Sequence, residues 1–154
     1  MRLYVLQHAE AVPEEMDPDR PLTPRGWEQM GRLSILLGSR CIRVSRLLHS
    51  GKTRARQTAE ILAPKVLPGG VIEEWEGLKP KDDPSDFLRG LGEWEYDLML
   101  VGHMPFVSKL VSRLVTGKEE PAILTFSPGT LAALETDPGK TSWTIGFLWP
   151  PELL

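Results

Sequence analysis

The sequence predicts an α/β fold, a single-domain three-layer sandwich over residues 1–154, with a mostly parallel central sheet, helices on both faces and partly antiparallel C-terminal strands. Three observations lead there. Short apolar runs alternate with segments of helical period from residue 2 to residue 115, the pattern of strand–helix–strand units. The remainder changes to β-rich runs joined by Pro128-Gly129 and Pro138-Gly139. A length of 154 residues suits one domain whose core needs no covalent staple.

Residues 2 to 6 read as a short buried strand, and Gln7 to Pro13 as a loop. Thr23 is placed to cap a helix whose first residue is Pro24, where proline sacrifices no hydrogen bond. Trp27, Met30, Leu33 and Leu37 then form its expected core face, and Gly38 its expected stop. IRVSRLLHS predicts a second strand ending at His49 and Ser50. GKTRARQTAEILAPKV follows as a helix, with Ala55, Thr58, Ala59 and Leu62 on one side and Pro64 at or beyond its end. VIEEW predicts a third strand, and Asp83-Pro84 opens a short helix ended by Gly90 or Gly92. YDLMLVGH is another strand, with a helix starting at Pro105 and presenting Phe106, Leu110, Val111 and Leu114. AILTFSP, GTLAALETD and SWTIGFLWP then predict a three-stranded meander.

Composition narrows the function. A formal charge of −3 argues against general nucleic-acid binding, which needs a basic surface to neutralise phosphates. The lone Cys41 leaves no disulfide framework or cysteine zinc site, as expected in a reducing compartment. No stretch approaches the ~18 apolar residues of a membrane span, and the start does not read as a signal peptide. The expected location is cytoplasmic, with neither membrane nor nucleic acid as partner.

Three polar clusters fall at strand ends: Gln7, His8 and Glu10; Ser50 and Arg54; Gly102 and His103. Helical crossovers require those strands to be parallel, which puts their tips on one sheet edge, where ligands of α/β sheets bind. Two imidazoles and a guanidinium would then converge. His8-Ala9-Glu10 lacks metal-ligand spacing, so no metal and no cofactor is implied. Arginine presents a fork of donors to phosphate oxygens, and a neutral imidazole can attack phosphorus. A backbone carbonyl could hold the tautomer of His8 while nearby cations keep it neutral. No Walker or dinucleotide glycine motif competes. The residues therefore point to phosphoryl transfer to His8 and then to water.

LQHAEA (6–11), RPLTPRG (20–26), SGKTRARQTAEIL (50–62), EGLKP (76–80) and LMLVGHMPFVSKLVSRL (98–114) resemble, in that order, the histidine phosphatase superfamily and its small SixA-like phosphohistidine phosphatase branch. The resemblance implies that His8 is the nucleophile and that Arg54 and His103 bind and stabilise the transferring phosphoryl group. It places Gln7 where the family has a phosphate-binding arginine, and Ala9 where it has glycine. Glu76 is the positional candidate for a general acid and Glu10 for ordering the loop, while Arg20 matches a further family position or anchors the loop. The implied substrate is phosphohistidine on a protein, because the short chain between Arg54 and His103 leaves little for a lid over a small metabolite. Two other readings fit the same residues: a weakly active or non-catalytic phosphate- or phosphoprotein-binding module, and a small-molecule phosphomonoesterase.

Overall fold

The first apolar run builds β1 (Arg2–Gln7), a strand near the centre of a six-stranded sheet, in a computed structural model that describes residues 1–154. The chain continues through α1 (Pro24–Ser39), β2 (Arg46–His49), α2 (Thr53–Val66), β3 (Glu73–Glu74), α3 (Pro84–Leu91), β4 (Leu98–Gly102) and α4 (Phe106–Thr116). It ends with β5 (Leu131–Thr136), β6 (Trp143–Trp149) and one 3-10 turn. The sheet order is β3-β2-β4-β1-β5-β6. Pairs β3–β2, β2–β4 and β4–β1 are parallel, as helical crossovers demand, whereas β1–β5 and β5–β6 are antiparallel.

Register positions the site. Gln7 lies opposite Gly102, and His49 opposite Val101, so the carboxyl ends of β1, β4 and β2 finish at one level. Both sheet faces are buried, which explains why the parallel strands read as continuous apolar runs. On one face Tyr4, Leu6, Leu47, Met99 and Val101 pack against α1 and α2. On the other, Leu3, Val5, Leu48 and Leu100 meet α3 and α4.

The helix starts follow from side-chain capping. Thr23 Oγ1 accepts from the Gly26 N–H at 3.0 Å, and Asp83 Oδ1 from the Ser85 N–H at 2.8 Å, each satisfying an otherwise orphaned amide. Gly117, at φ +81°, closes α4 in the left-handed conformation that glycine adopts most readily.

Several expectations need correction. Trp27 is 45% exposed, because the buried stripe of α1 runs through Gly26, Met30, Leu33 and Leu37 instead. The first turn of α1 presses on the backbone of Glu10, and only a glycine fits at that contact: a Cβ on Gly26 would sit 2.3 Å from the Glu10 carbonyl oxygen. Nor does Gly38 stop α1, which runs one residue further, to Ser39.

β2 is shorter than predicted, since the Val44 N–H bonds to the Val66 carbonyl rather than to a strand. VIEEW contributes only two strand residues, at an edge, with Val71 largely exposed. Pro64 lies inside the last turn of α2, where it forfeits one bond to the carbonyl of the exposed Glu60, and the Leu67 N–H to Ala63 carbonyl bond still closes the helix. Pro105 caps α4 from just outside it.

The run 122–128 is not a strand. The place beside β5 where a meander would put it is taken, since β5 pairs with β1 on one side and β6 on the other. It crosses the α4 side of the sheet, the Ile123 N–H donating to Ser112 Oγ and Phe126 entering the core.

The two glycines of the first half of α1 provide an opposed pair of stability tests. Gly26→Ala should destabilise by about 1–3 kcal/mol through overpacking against Glu10. Gly31→Ala, with nothing near its Cβ position, should stabilise by about 0.5–1 kcal/mol through helix propensity. Urea unfolding midpoints of the two variants should move in opposite directions.

Candidate active site

β1 delivers His8 one residue beyond its last ladder position, where the His8 N–H donates to the Gly102 carbonyl at 3.0 Å. The ring is 6% exposed, and its Nδ1 lies 2.7 Å from the Ala9 carbonyl oxygen. A carbonyl only accepts, so Nδ1 carries the proton. The other nitrogen, Nε2, lies 3.3 Å from Arg54 Nε, and a guanidinium only donates. Both partners thus select one neutral tautomer, with a lone pair on Nε2.

Electrostatics act in the same direction. Burial pushes the His8 imidazole down to about 4, the charges of Arg54 and Arg20 add to that, and the Ala9 carbonyl opposes it. Desolvation, more than the cations, keeps this ring neutral. At pH 7 an ordinary imidazole near 6.5 is about one-quarter protonated, whereas one near 4 is protonated in roughly a thousandth of molecules.

His103 follows β4 and faces His8, with ring centroids 5.0 Å apart and an interplanar angle of 47°. Its Nε2 lies 2.6 Å from Ser50 Oγ at the tip of β2. Burial, then His8, Arg54, Lys52 and Arg20, push it down to about 2, so it too is neutral and able to donate a proton in a hydrogen bond. Its Nδ1 and Gln7 Oε1 are the two buried side-chain polar atoms without a hydrogen-bond partner. Such an atom costs about 1–3 kcal/mol, and both lie at this sheet edge. A half-turn of the Gln7 amide exchanges its oxygen for an NH2 donor at little steric cost.

Arg54 sits in the first turn of α2, whose amino end adds positive potential. Burial, together with Arg20, lowers its guanidinium from the usual value, against the charge of Glu14, but arginine stays protonated at any physiological pH. Arg20, at φ +47°, donates from Nε to the Val12 carbonyl at 3.0 Å while its charge reaches both site histidines and Arg54.

The carboxylates are placed differently. Glu10 turns away from the rings: its carboxylate accepts from Thr23 Oγ1 at 3.0 Å and meets Arg25 at 3.4 Å, tying the loop to the start of α1. Glu76 borders a polar cleft of about 180 Å³ with Ser50, Glu74 and Lys79, one residue away from the His103 ring. Its neighbour Glu73 is engaged elsewhere, in a two-pronged pair with Arg46.

Thr58 has a role that helical periodicity conceals. It lies on the buried face of α2, where it reads as packing, yet its Oγ1 accepts from the Ala9 N–H at 3.0 Å and donates to the Arg54 carbonyl at 2.7 Å. One hydroxyl therefore joins the loop that holds His8 to the turn that holds Arg54. The available signal was a polar residue on an otherwise apolar stripe. Ala9 is fully buried in the core with no left-handed backbone, so a methyl at this position introduces no strain.

Residues 3–98 match the family model of the histidine phosphatase superfamily (branch 1). An uncharacterized protein of Picosynechococcus sp. is 34% identical over 125 residues, covering 77% of this chain and 75% of that protein. The phosphohistidine phosphatase SixA of Escherichia coli (strain K12) is 26% identical over 148 residues, or 93% of this chain and 92% of that protein. The solved structure of the protein histidine phosphatase SixA complexed with tungstate superposes with a TM-score of 0.84 at 24% identity, covering 99% of both chains. The chain belongs to the histidine phosphatase superfamily (branch 1).

Proposed function

We propose that the protein is a metal-independent phosphatase that passes the phosphoryl group through His8, and that its substrate is phosphohistidine on a protein. The observation that carries this reading is the His8 ring, proton fixed on Nδ1 by Ala9 and lone pair on Nε2 beside Arg54. Family membership and the likeness to SixA support a phosphatase.

In the first step the Nε2 lone pair attacks phosphorus in line with the leaving group. The N–P bond forms as the bond to the leaving group breaks and that group departs with the electron pair. Arg54, the Gln7 amide and His103 hold the equatorial oxygens as charge spreads onto them. Water then attacks phosphorus, the N–P bond breaks with its pair returning to Nε2, and orthophosphate leaves. His8 is neutral again and still bonded to Ala9.

The preference for phosphohistidine follows from the acid side. No carboxylate hydrogen-bonds to His8, Arg54 or His103, and Glu10 is occupied by Thr23 and Arg25. An alkoxide leaving group needs a proton from a placed acid, whereas a departing imidazole nitrogen needs far less help and can be protonated by solvent. The short chain between Arg54 and His103 also leaves little for a lid, which favours a phosphoryl group presented on a protein surface over an enclosed metabolite.

Two experiments test this. Incubated with a phosphohistidine-bearing protein in the presence of a chelator, the wild-type chain should release phosphate and form an acid-labile phosphoenzyme. His8→Ala should lose both, with turnover falling at least ~10³-fold. Full activity in that variant would remove the nucleophile assignment.

Gln7 supplies a neutral donor, worth about 0.5–1.5 kcal/mol, where a guanidinium would supply about 1.5–3 kcal/mol. Gln7→Arg should therefore raise kcat by roughly ten-fold, since each ~1.4 kcal/mol is a factor of ten. Equal rates would show that this position does not limit the chemistry.

A further inference from the structure

Beside Arg54 the surface opens into a depression of about 340 Å³, lined by Lys52, Arg54, Lys79, Pro80, Lys81 and Asp82. Four of these six side chains are cationic, in a chain whose formal charge is −3. None of the four forms an ion pair, although Arg46, Arg56 and Lys140 are held by Glu73, Glu60 and Glu95. The single carboxylate, Asp82, is committed to the backbone: its Oδ2 accepts from the Lys79 N–H at 2.8 Å, and its own N–H donates to the Lys79 carbonyl at 3.1 Å.

The lysines are presented by an anchored segment. Gly77 makes the turn after β3 at φ +91°, Leu78 is fully buried in the core, and the Lys79–Asp82 bonds close the loop. The stems of Lys79 and Lys81 stay exposed. On the far side of Lys79 the charge changes sign, at the cleft bordered by Glu74 and Glu76. Four like charges around one depression repel each other, and an anion placed among them relieves that repulsion.

We propose that this depression is a second anion subsite, taking a carboxylate or phosphate that the substrate carries next to the phosphoryl group held at His8. Arg54 lines the depression and also touches His8, so the two anions would lie side by side across one guanidinium. On a protein substrate the second anion is an acidic residue adjoining the phosphorylated histidine; on a small molecule it is a second acidic group. The inference rests on the phosphatase reading for the position of the phosphoryl group.

The test is calorimetric titration of the full chain with peptides bearing a non-hydrolysable phosphonate isostere of phosphohistidine. One peptide has two glutamates beside the isostere, the other two glutamines. A parallel pair is phenylphosphonate with and without a ring carboxylate. Two exposed ion pairs should make the wild type bind the glutamate peptide roughly five- to ten-fold more tightly at low salt. That preference should shrink in ~0.5 M salt and vanish in Lys79→Gln/Lys81→Gln.

A preference within the peptide pair assigns the subsite to a protein substrate, and one confined to the phenylphosphonate pair assigns it to a small molecule. Equal binding within both pairs, no binding of any probe, or a preference that survives the double variant would overturn the proposal. The titration does not use turnover, so loss of the phosphatase reading would appear separately, as absence of a phosphoenzyme on His8.

Discussion

One hydrogen bond governs the site: His8 Nδ1–H donating to the carbonyl of the next residue, at 2.7 Å. It spends the ring proton on the backbone and leaves the electron pair on the nitrogen that faces Arg54. Without it, burial would still keep the ring neutral, but only the longer contact from Arg54, at 3.3 Å, would hold the lone pair on Nε2. The geometry of that bond depends on where the loop after β1 is held. Gly102 accepts from the His8 amide, Thr58 from the Ala9 amide, and the Glu10 carbonyl from the Thr23 amide.

Those three anchors explain why the surrounding fold takes the form it does. Parallel pairing of β1 with β4 sets Gly102 level with Gln7 and supplies the carbonyl for His8. The first two turns of α2 bring Arg54 and Thr58 to the same loop from the opposite side. The start of α1 closes in so tightly over Glu10 that only glycine fits at residue 26.

Much of this was legible because strand ends and helix starts have local chemical causes. The apolar runs of β1 and β4 and the Thr23-Pro24 and Asp83-Pro84 pairs specify their elements directly, and parallel geometry then brings His8, Arg54 and His103 together. Contacts between distant segments were not legible. Trp27 fits an apolar stripe, yet the close approach to Glu10 rotates the buried face onto Gly26. AILTFSP has the composition of a strand, but β5 is already paired on both sides, and the segment instead bonds to Ser112 of α4 and sends Phe126 into the core. Thr58 looked like packing because its two hydrogen bonds reach a loop 49 residues earlier and a carbonyl one turn back. The cationic character around the site was visible in Arg54 and Arg20, whereas the larger cause of the neutral His8, its burial, emerges only when the sheet, loop and helix have closed round it.

The most direct test of this account is the protonation of the His8 ring in solution, read from the nitrogen-15 and proton shifts of the labelled chain as a function of pH. The expected result is a neutral ring with its proton on Nδ1 at pH 7, beginning to titrate only as the pH falls towards about 4. A proton on Nε2, or a midpoint near the ordinary value of 6.5, would contradict it.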